Sequence, residues 1–215
     1  MDRKINHYRT EDFAVFKKDY SVNFFNSLSG FKSINLCGTK NALGLENLTI
    51  FNTVFHVGSK PPFIGMVSYP MNRQRDTLAN IRETGYYTLN HITEKIYFKA
   101  HQTAAVYPSD KSEFEMVGLT PQYSENHPAP YVLESTVKIG LKCVEEIPLK
   151  SNGKIIIIGE IIEAILPEDC ILKDGMIDPG MTGTITSSGM DTYYSTQKIV
   201  RLSFANTNND LGVIG

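Results

Sequence analysis

The chain has 215 residues, 41% hydrophobic and 20% charged, with 11 Tyr, 11 Phe and no Trp. That is enough apolar material for a buried core, which excludes wholesale disorder, and the length suits a single domain over 1–215 with its core at 27–205. With 21 Lys and Arg against 23 Asp and Glu the formal net charge is -2, so no global field attracts a nucleic-acid backbone and no nucleic-acid partner is expected.

Polar, aromatic-rich residues lead in, with short helical turns predicted over 12–18 and 22–28 and a stop at Gly30. Strands follow at 33–39, 47–57 and 63–69; Pro61 and Pro62 donate no ladder hydrogen bonds, so they mark the start of the third strand and not its middle. Residues 76–85 form a helix with both ends written in: Asp76 as N-cap, Leu78 and Ile81 on one face, Gly85 as the left-handed stop. A strand at 86–91 precedes helices at 94–103 and 112–117, and the proline-bearing stretch 104–131 reads as a long surface excursion. Val137, Ile139, Leu141 and Cys143 alternate with polar or small residues, 155–166 is a second apolar run, and Asn152-Gly153 between them predicts a type I′ hairpin turn. Weaker strands are expected at 183–188 and 198–204. Many short strands without strand-helix alternation predict a mainly β, antiparallel barrel with a few peripheral helices.

The three cysteines, Cys37, Cys143 and Cys170, are scattered and lack CxxC spacing, so neither a disulfide framework nor a cysteine zinc site is expected. His56, His91 and His101 match no metal-ligand spacing, and no metal is expected. The motifs GxSxG, GxGxxG and GxxxxGK[ST] do not occur. No apolar stretch follows the charges at the N-terminus, and Glu160 and Glu163 interrupt the most hydrophobic run, so no membrane partner and a cytoplasmic location are expected.

Two features carry chemistry. Arg73 and Arg75 stand just before the helix that Asp76 and Thr77 open, where unpaired N–H groups and the dipole favour an anion such as phosphate; a solvated basic turn is the alternative. Asn47-Leu-Thr-Ile-Phe-Asn-Thr53 alternates polar and apolar groups, as would a strand edge that hydrogen-bonds a planar heterocycle, or an ordinary half-exposed strand.

Taken together, the block 47–65 with Ser59-Lys60-Pro61-Pro62, the block 75–90 with its Thr-Gly turn and strand ending in Asn90, and Gly159-Glu160 at the end of a strand pair resemble the flavin reductase-like family. The resemblance implies a split β-barrel, Greek-key-like, that binds FMN near the interface of a homodimer, with NADH or NADPH as electron donor. It implies that Asn47, Thr49, Ile50, Phe51 and Asn52 meet the ring and ribityl chain, that Arg73, Arg75 and Thr77 meet the phosphate, and that Asn90 and His91 lie beside the flavin; Ser68 and His101 are further candidates. Where many flavin reductases carry small Ser or Thr residues this chain has Ile50, Phe51 and Asn52, and a bulky Phe51 is expected to narrow the site. The implied activity is hydride transfer from NAD(P)H to bound flavin with no catalytic side chain; the alternatives are an FMN electron carrier without pyridine-nucleotide oxidation, or a structural dimer.

Overall fold

The computed structural model describes residues 3–69, 76–108, 110–207 and 210–214, with Asp76 described for its backbone only. Helices α1 (Thr10–Ala14) and α2 (Lys18–Leu28) bury no residue against the rest of the chain. Their rings pack on one another instead, Phe16 lying 4.7 Å from Tyr20 and 5.2 Å from Phe24 between centroids. Gly30, at φ 78, ends this arm in the left-handed conformation that glycine adopts without strain.

Twelve strands and three more helices follow: β1 (Lys32–Ser33), β2 (Asn35–Lys40), β3 (Glu46–Phe51), β4 (Val54–Ser59), β5 (Pro62–Ser68), α3 (Asp76–Thr84), β6 (Tyr86–His91), α4 (Tyr97–Gln102), α5 (Glu113–Val117), β7 (Pro121–Gln122), β8 (Tyr131–Val132), β9 (Lys138–Pro148), β10 (Ile155–Ile165), β11 (Thr186–Ser188) and β12 (Thr192–Tyr194). Seven of them form one antiparallel sheet in the order β3-β2-β6-β9-β10-β5-β4. Strands β3 and β4 are joined by Asn52 and Thr53 alone, yet they occupy opposite edges of that sheet. Laid flat, the edges of seven strands would stand roughly 29 Å apart, whereas the link from Phe51 to Val54 reaches about 11 Å at most. The sheet therefore rolls until its edges meet at this corner, where the Val67 N–H donates to the Thr53 carbonyl (3.1 Å) and Thr53 Oγ1 donates to the Val67 carbonyl (3.2 Å). The result is a barrel split between β3 and β4.

Rolling creates two cores from one sheet. Adjacent residues point to opposite faces, so Leu36 joins Leu48, Ile92, Phe114 and Val132 outside the barrel under α4 and α5, while Cys37 joins Phe51, Met66, Leu78, Ile81, Tyr87 and Ile157 inside it. Helix α3 thus lies against the barrel interior with the two apolar residues its spacing marked.

Several expectations need correction. The strand expected over 47–57 is two strands, because Thr53 turns toward Val67 and sends the chain to the other edge. The helix expected from 94 starts at Tyr97: Thr93 pairs with Thr184 in an isolated bridge, and its carbonyl accepts from the Ile96 and Tyr97 N–H groups. The 150–153 turn is not type I′, which requires positive φ at both central residues. Gly153 is at φ 71, and no residue other than glycine has positive φ among the described residues; the Leu149 N–H to Lys154 carbonyl pair (2.7 Å) closes a four-residue loop instead. The 104–131 stretch is no mere surface excursion, for Phe114, Leu119, His127, Ala129 and Tyr131 are buried. Residues 198–204 form no strand and contribute one isolated bridge, Leu202 to Val213. Among the described residues no helix is long and apolar enough to cross a membrane.

Candidate functional site

The best-defined polar constellation sits where β3 passes the start of α3. Asn47 Nδ2 donates to Thr77 Oγ1 (2.9 Å), and Thr77 Oγ1 donates to Thr49 Oγ1 (3.2 Å), so three of the sequence-derived candidates form one chain of hydrogen bonds. Asn47 and Thr49 share a face of β3 by the two-residue period, and Thr77 stands one residue inside the helix. Two further members escaped sequence reasoning: Thr39 on β2, whose Oγ1 accepts from Asn80 Nδ2 (3.1 Å) and more distantly from Asn47 Nδ2 (3.4 Å), and Asn80 itself. The available signal for Asn80 was its spacing of three from Thr77, which places both on one helix face. The first-turn N–H groups of a helix have no intrahelical partner, so this corner presents donors and hydroxyls together. Arg73 and Arg75, the expected phosphate ligands, and the Asp76 side chain lie outside the described residues.

The remainder of β3 divides its candidates between two faces. Phe51 points inward with Asn47 and Thr49 and is 8% exposed in the inner core, so it fills the barrel and the expected narrowing of the site by its ring is not found. Ile50 packs outward against the outer core, as Tyr193 also does, and Asn52 Nδ2 donates to the Gly189 carbonyl (3.1 Å). The edge of β3 matters more than its side chains. The Leu48 N–H faces away from β2 and donates to Glu113 Oε2 (3.0 Å), which places the N–H and C=O of Ile50, two residues on, on the same unpaired side.

Asn90 is a core residue. Its Nδ2 donates to the Leu36 carbonyl (3.0 Å) and Thr88 Oγ1 (2.9 Å), and its Oδ1 accepts from the Val132 N–H (2.9 Å), so the carboxamide knits β6 to β2 and β8 and offers no group to a ligand. Ser68 is likewise buried, donating to the Tyr69 carbonyl (3.3 Å). His91 bonds through Nδ1 to Thr184 Oγ1 (2.9 Å). Because Thr182 Oγ1 donates to the Pro179 carbonyl (2.9 Å), the Thr184 hydroxyl must donate to Thr182 (2.7 Å) and accept from His91 Nδ1–H. Burial pushes the imidazole pKa down to about 4, so His91 is neutral at pH 7, and it lines an apolar cavity of about 220 Å³ with Val137, Ile139, Ile161 and Ile177. His101, on α4, bonds through Nδ1 to Tyr193 OH (2.7 Å) on the outer face shared with Ile50; burial, then Asp191, raises the Tyr193 pKa to about 12. The candidates therefore form an inner group at the α3 corner, an outer group along β3 and α4, and His91 at the end of β6. Among the described residues no group of three His, Cys, Asp or Glu could hold a metal.

A family model described as the flavin reductase like domain matches residues 33–178. The chain belongs to the flavin reductase-like family. Within that family's fold, a protein from Shewanella frigidimarina NCIMB 400, designated a flavin reductase with split barrel domain, is 42% identical and superposes with a TM-score of 0.90 over 93% of this chain and 100% of its own. Nitrilotriacetate monooxygenase component B from Bacillus cereus, at 19% identity, superposes with a TM-score of 0.81 over 94% and 100% of the two chains. Flavoredoxin of Desulfovibrio vulgaris (Miyazaki F), at 23% identity, covers 83% of this chain and 92% of its own with a TM-score of 0.68. The last two likenesses are of fold alone; the match over 33–178 spans the rolled sheet, the α3 corner and His91.

Proposed function

We propose that this chain is an FMN-binding oxidoreductase that takes a hydride from NADH or NADPH, working as a homodimer with one FMN per subunit. The observation that carries the reading is the unpaired edge of β3 at Ile50 beside the hydroxyl and amide cluster of Asn47, Thr49 and Thr77. The chemistry of that donor set fits a flavin nucleotide: a planar heterocycle needs in-plane backbone donors and acceptors, a ribityl chain needs hydroxyl and amide partners, and a phosphate needs a helix N-terminus with cations. When bound, FMN supplies the ring that accepts the hydride and passes electrons onward.

The protein's own residues hold and orient. Ile50 N–H and C=O would hold the heterocycle edge, Asn47 and Thr49 would hold the ribityl hydroxyls, and Arg73, Arg75, Thr77 and the first-turn N–H groups of α3 would compensate the phosphate charge. Asn52, fixed by the Gly189 carbonyl, keeps the β3 to β4 corner in place. His91, neutral and directed toward Thr184, adds no charge near the ring. No side chain is required to move a proton, so the chain's contribution is placement and electrostatic support.

The visible spectrum tests this. The protein is expected to be yellow as purified or after adding FMN, and to bleach under anaerobic NADH or NADPH. Yellow that persists with both donors would assign the chain as an electron carrier, and failure to take up FMN would reject both activities.

A further inference from the structure

The apolar cavity of about 220 Å³ at His91 lies far along the barrel from the α3 corner. His91 pairs with Asn35 on β2, whereas α3 meets β2 at Thr39, four residues or roughly 13 Å along the strand. Strand β2 also separates His91 from the open edge of β3. Val137, Ile139, Ile161 and Ile177 are among the cavity's walls, and no Asp, Glu, Lys or Arg lines it. Its two polar side chains are His91 and Thr182, and their hydrogen bonds fix what each can offer. The Thr182 hydroxyl donates to the Pro179 carbonyl, and Thr184, which is not part of the lining, accepts from His91 Nδ1–H. The other ring nitrogen, Nε2, carries the lone pair of the neutral imidazole and has no hydrogen-bond partner among the described residues. Unlike the Thr93 and Tyr87 hydroxyls, which are partnerless and sealed from solvent, Nε2 stays accessible. The wall at 177–182 is itself anchored: the Asp178 N–H donates to the Cys170 carbonyl (3.0 Å), and Lys198 Nζ donates to Asp178 Oδ2 (2.9 Å).

Such a wall selects its occupant by exclusion. Its side chains offer acceptors and no free donor, so the oxygens of a ketone, quinone or carboxylate would find no side-chain partner there. An ionised group would also be buried without an opposite charge, which is costlier still. What fits is an uncharged apolar body carrying one hydrogen-bond donor. A dry apolar cavity of roughly 150 Å³ holds benzene, so this larger space admits one aromatic ring with a small substituent. We propose that the cavity binds a phenol, its O–H donating to His91 Nε2 and its ring lying among Val137, Ile139, Ile161 and Ile177. The site goes beyond the reductase function proposed above and does not depend on it.

Titration calorimetry on the full chain compares phenol, anisole, in which a methyl group replaces the hydroxyl proton, and benzoate. Phenol is expected to bind once per chain and about tenfold tighter than anisole, with no binding of benzoate. Saturating FMN should leave the phenol affinity unchanged. Ala164→Phe, at an exposed position of the lining, puts a ring into the cavity and should abolish phenol binding, while His91→Leu removes the acceptor and should bring phenol and anisole to equal affinity. Absence of phenol binding, equal binding of phenol and anisole or of phenol and benzoate by the wild type, binding that survives Ala164→Phe, or displacement of phenol by FMN would overturn the proposal. Because the comparison of ligands is made on the wild type and Ala164 is exposed, the test stays decisive even where His91→Leu folds poorly.

Discussion

Thr77 joins two elements through one hydroxyl, accepting from Asn47 on β3 and donating to Thr49. In Thr77→Val the buried Asn47 amide keeps only its longer contact to Thr39. Leaving a buried donor short of a partner costs about 1–3 kcal/mol; a fall of that size in denaturant midpoint at unchanged slope is expected, accompanied by weaker FMN retention, with Thr77→Ser restoring both. Residue-level chemistry also sets a pH dependence. Burial lowers the His91 pKa from 6.5 to about 4 and also lowers that of His127, whose ring bridges the Ala129 N–H and the Leu141 carbonyl. Below pH 6.5 the unfolded chain binds protons that the folded imidazoles refuse, so stability falls as pH drops from 6.5 toward about 4. His91 alone accounts for up to about 3 kcal/mol of that loss. Unfolding free energy measured across this window should slope less in His91→Gln; an identical slope would sink the assignment. None of these partners was legible in the sequence: Thr184 is 93 positions from His91, and no periodicity links them.

At the scale of elements, the segments with strong local signals formed where expected. Leu78 and Ile81 with Gly85 mark α3, and the paired apolar runs mark β9 and β10. Turn chemistry misled at Asn152-Gly153 because a four-residue loop satisfies the same residues: Asn152 Oδ1 accepts from the Lys154 N–H (3.0 Å) without leaving negative φ. The 121–131 segment is pinned by side chains, Glu163 on β10 accepting from Ser124 (2.6 Å), Tyr131 (2.5 Å) and Asn126 (3.2 Å). Glu163→Ala is expected to raise amide hydrogen exchange over 124–127 while β2 and β6 stay protected; unchanged exchange there would show that the clip does not hold the segment. The same segment crosses β2 so closely that a Cβ at Gly38 would lie 2.2 Å from the Pro130 carbonyl oxygen. A backbone atom cannot swing aside, so Gly38→Ala should destabilise by about 1–3 kcal/mol and lower the melting temperature. A neutral Gly38→Ala would contradict this packing.

Considered as a whole, the molecule leaves apolar side chains uncovered at both ends of the chain: Val15 and Leu28 on the arm, Ile199 at 97% and Phe204 at 91% exposure near the other end. Such surface is consistent with the proposed homodimer. Sedimentation equilibrium should return twice the mass of one chain, and a concentration-independent monomer would remove the dimer from the proposal. Amino-acid order alone was sufficient for whatever depends on near neighbours in the chain: the period of two in the strands, the α3 helix with its Gly85 stop, and the polar alternation of Asn47 and Thr49. Their sum, a mainly β barrel of the flavin reductase-like family, was legible from the blocks at 47–65 and 75–90. Folding in three dimensions settled what depends on distant pairs. It placed β3 and β4 at opposite edges of one sheet, which opened the Ile50 edge, turned Phe51 and Asn90 into core, and gathered His91, Ile139, Ile161 and Ile177 around one cavity. Strand order and edge exposure are properties of which strands meet, and contacts between residues a hundred positions apart leave no local pattern from which to read them.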